Sequence, residues 1–164
     1  MKRIYQLLIL SFLFLTSCTS FEQKKNEKTT KEFYETFAER KDLDKFLDFY
    51  ALNAELIDAV PQTVTQGREN IKILFDWSDP NYKTHPEFPK SIEINEILAN
   101  DSIVAVNGEY NPYYYNGKLI EKMSFCTWLY FNKEGKITKQ VEWAQYPPDD
   151  LRQIMQFKES VQIK

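Results

Sequence analysis

Between Ser91 and Tyr146 the sequence alternates as β-strands do, with little interruption. "SIEINEIL" alternates, "NDS" is a turn, and "IVAVNGEY" follows. The tip "NPYYYNG" carries Asn116-Gly117, a pair that suits the two positive-φ positions of a tight hairpin. "KLIEKMSFCTWLYF" reads as one long strand, "NKEG" as a hairpin and "KITKQVEWAQY" as the last strand. Four long strands joined by short turns make an antiparallel sheet with one face to cover, so the rest of the chain has to supply the cover.

The preceding segment is patterned for that task. After Thr30, an N-cap residue type, Phe33, Tyr34, Phe37 and Ala38 recur at helical spacing. Leu43, Phe46, Leu47 and Tyr50 share one face of a second helix. "AELIDAV" reads as a short strand stopped by Pro61, and "TVTQG" leads into a third helix with Ile71, Leu74 and Phe75 on one side. "SDPNYKTHPEFPK" holds three prolines and reads as a loop, while "PPDDLRQIMQF" starts a C-terminal helix. The expected fold is α+β. A curved antiparallel β-sheet is wrapped by three N-terminal helices, with a C-terminal helix added, and forms a cone whose single opening suits a small molecule.

Composition narrows the function. With 43% hydrophobic and 15% aromatic residues the chain can fill a core. It has four glycines and no GxGxxG or GxxxxGK[ST], so no glycine-rich phosphate cradle is expected. One histidine, His85, in a loop-like stretch, argues against a zinc site or a His-based triad, and a net charge of −3 offers nucleic acid no basic surface. No metal, cofactor or nucleic-acid partner is expected.

The N-terminus has a different purpose. "MKR" is a short basic region, and "IYQLLILSFLFL" is 12 apolar-rich residues, too short for the ~20 that span a bilayer. "LTSC" follows and resembles the lipobox of bacterial lipoproteins, in which the cysteine is lipidated and becomes the new N-terminus. The resemblance implies a signal peptide over 1–17, a lipidated Cys18 with a lysine-rich flexible tether over 18–29, and a domain over 30–164. It implies membrane attachment in the cell envelope, at the outer membrane or cell surface rather than in the cytoplasm. Cys126 then has no partner within the chain, and no disulfide is expected.

The order α-α-β-α-β-β-β-β, carried by "FYETFAERKDLDKFLDFYALNAELIDAV", "QGRENIKILF" and "FNKEGKITKQVEWAQY", resembles the NTF2-like superfamily. That superfamily includes SnoaL-like polyketide cyclases, limonene-epoxide hydrolases, scytalone dehydratases and ketosteroid isomerases. In the isomerases a helix-1 tyrosine donates to an oxyanion and an aspartate ending the first strand moves the proton; Tyr34 and Asp58 fall at the matching positions, and Gly67 matches the glycine before helix 3. The isomerases' second, protonated aspartate is replaced by Thr127, a weaker donor. The cyclases carry an acid near the end of the last strand, where Glu142 is the nearest acid.

If Thr127 faces inward, strand parity sends Met123, Phe125 and Leu129 inward with it, together with Val104, Val106 and Gly108, and Gln140, Glu142 and Ala144. Asp58, Tyr34 and Glu142 are then the candidate catalytic groups. Thr127, Gln140, Phe125, Val106 and Trp77 are candidates to contact a ligand, Trp77 as a roof or as core. Asp58 is expected to point into the cone near the Tyr34 hydroxyl, and equally could cap the turn that follows. Trp128, Tyr130 and Trp143 take the opposite parity and form an apolar stripe that a homodimer would cover. Three functions fit: a lipoprotein that binds a small apolar or cyclic molecule, an acid–base enzyme of the isomerase, cyclase, dehydratase or hydrolase type, or an interaction module using the outer sheet face.

Overall fold

The computed structural model describes residues 20–152, 155 and 156 of the 164-residue chain. Helix α1 spans Phe21–Glu39, α2 Leu43–Asp48 and α3 Arg68–Leu74. The strands are β1 Tyr50–Asp58, β2 Thr63–Gln66, β3 Tyr82–Thr84, β4 Ile92–Ala99, β5 Ile103–Tyr110, β6 Tyr113–Tyr115, β7 Lys118–Ile120, β8 Met123–Phe131 and β9 Ile137–Ala144. Six of them form one curved sheet in the order β2-β1-β9-β8-β5-β4, and β3-β6-β7 form a small second sheet. Residues 148–152 are helical, in keeping with the expected C-terminal helix.

The β4-β5-β8-β9 portion is antiparallel, as the turns require. The β1–β9 pairing is parallel, with Asp58 opposite Glu142, which corrects the expectation of an all-antiparallel sheet. No hairpin joins these two strands, so no turn forces their directions to oppose.

Alternation in β8 is strict. Met123, Phe125, Thr127, Leu129 and Phe131 are buried, and the residues between them are not. Helices α1 and α2 cover this face with Phe33, Phe37, Phe46 and Leu47. Full burial of an aliphatic or aromatic side chain such as Leu129 or Phe46 is worth about 1.5–3 kcal/mol. Gly108 allows the sheet to close on this core: a Cβ there would sit 2.6 Å from the Phe125 ring and 2.4 Å from the Glu93 carbonyl oxygen.

The helix ends follow local chemistry. Ser20 caps α1 by accepting from the Gln23 N–H at 3.0 Å, and Asp42 caps α2 by accepting from the Lys45 N–H at 2.9 Å. Helix α1 thus begins at Phe21 and not near Thr30, so residues 21–29, expected as tether, are helical. Apolar periodicity could not reveal this, because the residues this turn buries are Asn26 and Thr30. The Asn26 side chain donates to the Asp101 carbonyl at 3.0 Å, and the Lys25 ammonium to the Lys133 carbonyl at 2.9 Å. Three further differences are small. Tyr50 opens β1 and does not close α2, β2 pairs with β1 as a hairpin, and β3 lies inside the proline-rich stretch.

The outer face of the main sheet is apolar along one line. Leu98, Ala105, Trp128, Val141, Ile57 and Val64 stand in register across all six strands. Trp128 and Trp143 are each 43% exposed, with ring centroids 6.3 Å apart.

Candidate functional site

The inner face of β8 and β9 carries polar side chains into the aromatic core. Thr127 and Glu142 are register partners, and Gln140 lies two residues from Glu142 on the same strand face. The Glu142 carboxylate collects three donors. The Tyr110 hydroxyl donates to Oε1 at 2.7 Å, and Thr127 Oγ1 and Gln140 Nε2 donate to Oε2 at 3.2 and 3.3 Å. Behind them the Tyr50 hydroxyl donates to Gln140 Oε1 at 2.5 Å. A chain of donors therefore runs from Tyr50 through Gln140 to one carboxylate.

The electrostatics follow from enclosure. Burial raises the Glu142 pKa above the ordinary glutamate value; the Tyr110 hydrogen bond pulls it back, the charge of Asp58 adds to the rise, and the Thr127 and Gln140 hydrogen bonds pull it back further. Burial also pushes the phenols of Tyr34, Tyr50 and Tyr110 up, so they remain donors at any physiological pH. The Tyr34 hydroxyl is buried without a well-formed hydrogen bond, and its ring stacks on Phe125 at 5.9 Å.

Glu142 opens on its remaining side into a cavity of about 430 Å³. Phe37, Phe75, Tyr110, Met123 and Tyr146 give it apolar walls, and the small sheet adds Tyr82, Tyr113 and Tyr115. A neighbouring cavity of about 440 Å³ shares Tyr113, Tyr115, Met123 and Tyr146.

Asp58 lies on the inner face beside Glu142 but does not line this cavity. Its carboxylate accepts a hydrogen bond from the Tyr146 hydroxyl and a longer one, 3.4 Å, from the Val60 N–H. Burial raises its pKa, and the Tyr146 and Val60 contacts moderate the rise. Tyr146 thus stands between Asp58 and the cavity. The expected closeness of Asp58 to the Tyr34 hydroxyl is not found: the groups that act on Tyr34 are Glu142, Thr127 and Cys126. The reason is that Tyr34 packs on the β8 side of the sheet, whereas Asp58 ends β1, beyond β9.

The other candidates separate by depth. Thr127 and Gln140 are buried in the Glu142 network, whereas Phe125 and Val106 belong to the core beneath the cavity. Trp77 packs on Phe46, with ring centroids 5.0 Å apart, and is not in the cavity wall. Cys18 lies outside the described residues. Sequence reasoning missed Tyr110, Tyr146 and Tyr50. Tyr110 and Tyr146 continue the inward parity of Gly108 and Ala144 and were within reach of that argument; Tyr50 was hidden by its helical spacing. Among the described residues no group of three or more His, Cys, Asp or Glu side chains could hold a metal ion, and no helix is long and apolar enough to cross a membrane.

No protein-family model matches the sequence, and no curated protein matches it. Solved structures do match in shape. A candidate SnoaL-like polyketide cyclase from Shewanella denitrificans OS-217 superposes with a TM-score of 0.63 at 17% identity, over 78% of this chain and 96% of that one. An LEH-like epoxide hydrolase from M. tuberculosis gives 0.62 at 10% identity, over 87% and 97%. An NTF-2 like protein of unknown function from Burkholderia xenovorans LB400 gives 0.60 at 18% identity, over 78% and 88%. At such identities the likeness concerns architecture alone, and on that ground this chain has the NTF2-like fold.

Proposed function

We propose that the cone binds a small apolar or cyclic molecule, with Glu142 and Tyr110 hydrogen-bonding a polar oxygen of it. The observation that carries this is an aromatic-walled cavity of about 430 Å³ that ends on a carboxyl group already oriented by three donors. Apolar walls with a few convergent polar groups are the general pattern of ligand sites. The test is to extract the purified protein under denaturing conditions and identify released small molecules by mass spectrometry, comparing wild type with Glu142→Gln. The reading expects a stoichiometric compound that the variant loses. Failure to saturate with any member of a broad library of apolar and cyclic compounds, together with an empty extract, would overturn it.

A second reading is favoured by the pair of adjacent carboxyl groups. Asp58 and Glu142 are register partners, and burial raises both pKa values. Such a pair suits proton transfer next to a carbonyl, with the Tyr110 hydroxyl already donating to Glu142; general acid–base help is worth roughly 10²–10⁴-fold. An enzyme would show turnover that Glu142→Gln abolishes while binding persists.

We also infer an envelope lipoprotein anchored through Cys18. Since Ser20 caps α1, only Thr19 lies between Cys18 and the folded domain, so the cone would sit against the lipid surface. Cys18→Ser should move the protein from membrane to soluble fractions or leave it unprocessed. The apolar row on the outer sheet face supports a homodimer, which sedimentation of the wild-type protein at increasing concentration would detect or exclude.

A further inference from the structure

The cavity that Glu142 closes also contains Arg40, which takes no part in the Glu142 network. Arg40 follows α1 and holds a left-handed backbone, φ 49° and ψ 38°, a conformation usually given to glycine or asparagine. A positive charge suits a helix C-terminus, but it does not require this left-handed backbone. Residues that break a local rule in this way gather at functional sites.

Its side chain is held by rings. The guanidinium lies 4.0 Å from the centroid of the Tyr82 ring and 5.5 Å from that of Trp77. Tyr82 stacks in turn on Tyr113, at 5.2 Å and 27°. The guanidinium carbon lies over the Tyr82 ring, and its N–H groups are left to find acceptors. Among the described residues they find none: the Arg40 side chain has its two ring contacts and no hydrogen bond or ion pair.

Two carboxylates, Asp76 and Asp79, act on Arg40 through their charge and line the same cavity, but neither is within ion-pair distance of it. Asp76 accepts from the Ser78 N–H at 3.0 Å and the Ser78 hydroxyl at 2.5 Å. Asp79 accepts from the Asn81 N–H and side-chain amide, each at 2.9 Å. Each is held in its own loop turn through Oδ1. The guanidinium is thus a fork of donors held over aromatic rings, on the wall of an aromatic-rich cavity that Asp76 and Asp79 also line.

We infer that the molecule taken up by this cavity carries a carboxylate, which pairs with Arg40 while the ring system lies against Phe37, Phe75 and Tyr110 and the far polar group meets Glu142. The inference rests on the reading of the cavity as a ligand site and narrows its ligand class to small aromatic or alicyclic acids. A fork of two parallel N–H donors matches the two oxygens of a carboxylate, a geometry that a lone charge would not specify.

A matched pair of probes tests it. The affinities of 2-naphthoate and 2-naphthamide, which share shape and differ in charge, are measured by calorimetry on wild type, Arg40→Gln and Arg40→Asn. The asparagine variant suits the left-handed cap and guards against a failure to fold. Wild type should prefer the acid by about tenfold or more, as a charge-assisted bidentate pair does over a neutral amide. Both variants should lose that preference while holding the amide within about twofold of wild type, since the apolar contacts remain. Equal affinities in wild type, or a preference that survives in both variants, overturns the inference and leaves the cavity reading intact. If neither probe binds any of the three proteins, the inference is overturned, and the cavity reading stands or falls on the extraction and library test.

Discussion

Asp58 and Glu142 are partners in the β1–β9 register and yet sit in different surroundings. Glu142 is in the middle of the sheet's inner face, enclosed by Tyr110, Thr127 and Gln140, with its one free side toward the cavity. Asp58 ends its strand, partly exposed, with one phenol and one backbone N–H as partners. Burial raises both pKa values, but only Glu142 has a donor set complete enough to hold either protonation state in a fixed geometry. Position across the sheet, and not residue type, makes one carboxyl a site and the other its neighbour: Asp58 contributes a charge that lifts Glu142, and Tyr146 as a partition.

The sharpest way to break this contrast is to remove each carboxyl's tyrosine. Tyr110→Phe should cost about 1–3 kcal/mol in urea unfolding at pH 8, because a buried acceptor loses its best charge-assisted donor. Tyr146→Phe should cost less, about 1 kcal/mol or below, because water can reach Asp58 in its place. Equal losses would show that the two environments do not differ as described.

A pH series sharpens the same point. A carboxyl whose folded pKa is raised binds its proton longer in the native than in the unfolded state. Its contribution to stability is therefore full below the unfolded pKa of about 4.3 and is lost as pH rises through the folded value. Glu142→Gln removes that loss, so the stability of the variant relative to wild type should climb with pH across this window and level off above it. A difference that stays flat from pH 4 to 8 would mean that Glu142 titrates normally. Asp58→Asn should show the same trend with a smaller amplitude.

The smallest effect belongs to Tyr34. Its hydroxyl is buried without a well-formed hydrogen bond, so Tyr34→Phe should be neutral or stabilising by up to about 1 kcal/mol in the ligand-free protein. A loss well above that would reveal a partner for the hydroxyl and bring Tyr34 back beside the carboxyl pair.

Much of this was legible in the sequence, and for simple reasons. Parity in β8 and β9 is set by the two-residue repeat of a strand, so Thr127, Gln140 and Glu142 inside and Trp128 and Trp143 outside followed once one residue's face was assumed. The Asn116-Gly117 turn was equally local, because both residues hold positive φ, 51° and 77°. The start of α1 was not legible, since the residues that pin it are polar, and their partners Asp101 and Lys133 are 75 and 108 residues away along the chain. The same limit governs the site. The sequence by itself determined which residues alternate, which helices are amphipathic and that an acid stands on each of two strands. Only the tertiary structure decided that β1 runs parallel to β9, that Asp58 is therefore screened by Tyr146 while Glu142 meets the cavity, and that Arg40 reaches the same space from the end of a helix. Those placements depend on how distant segments pack, and a periodicity of two or of 3.6 residues carries no information about that.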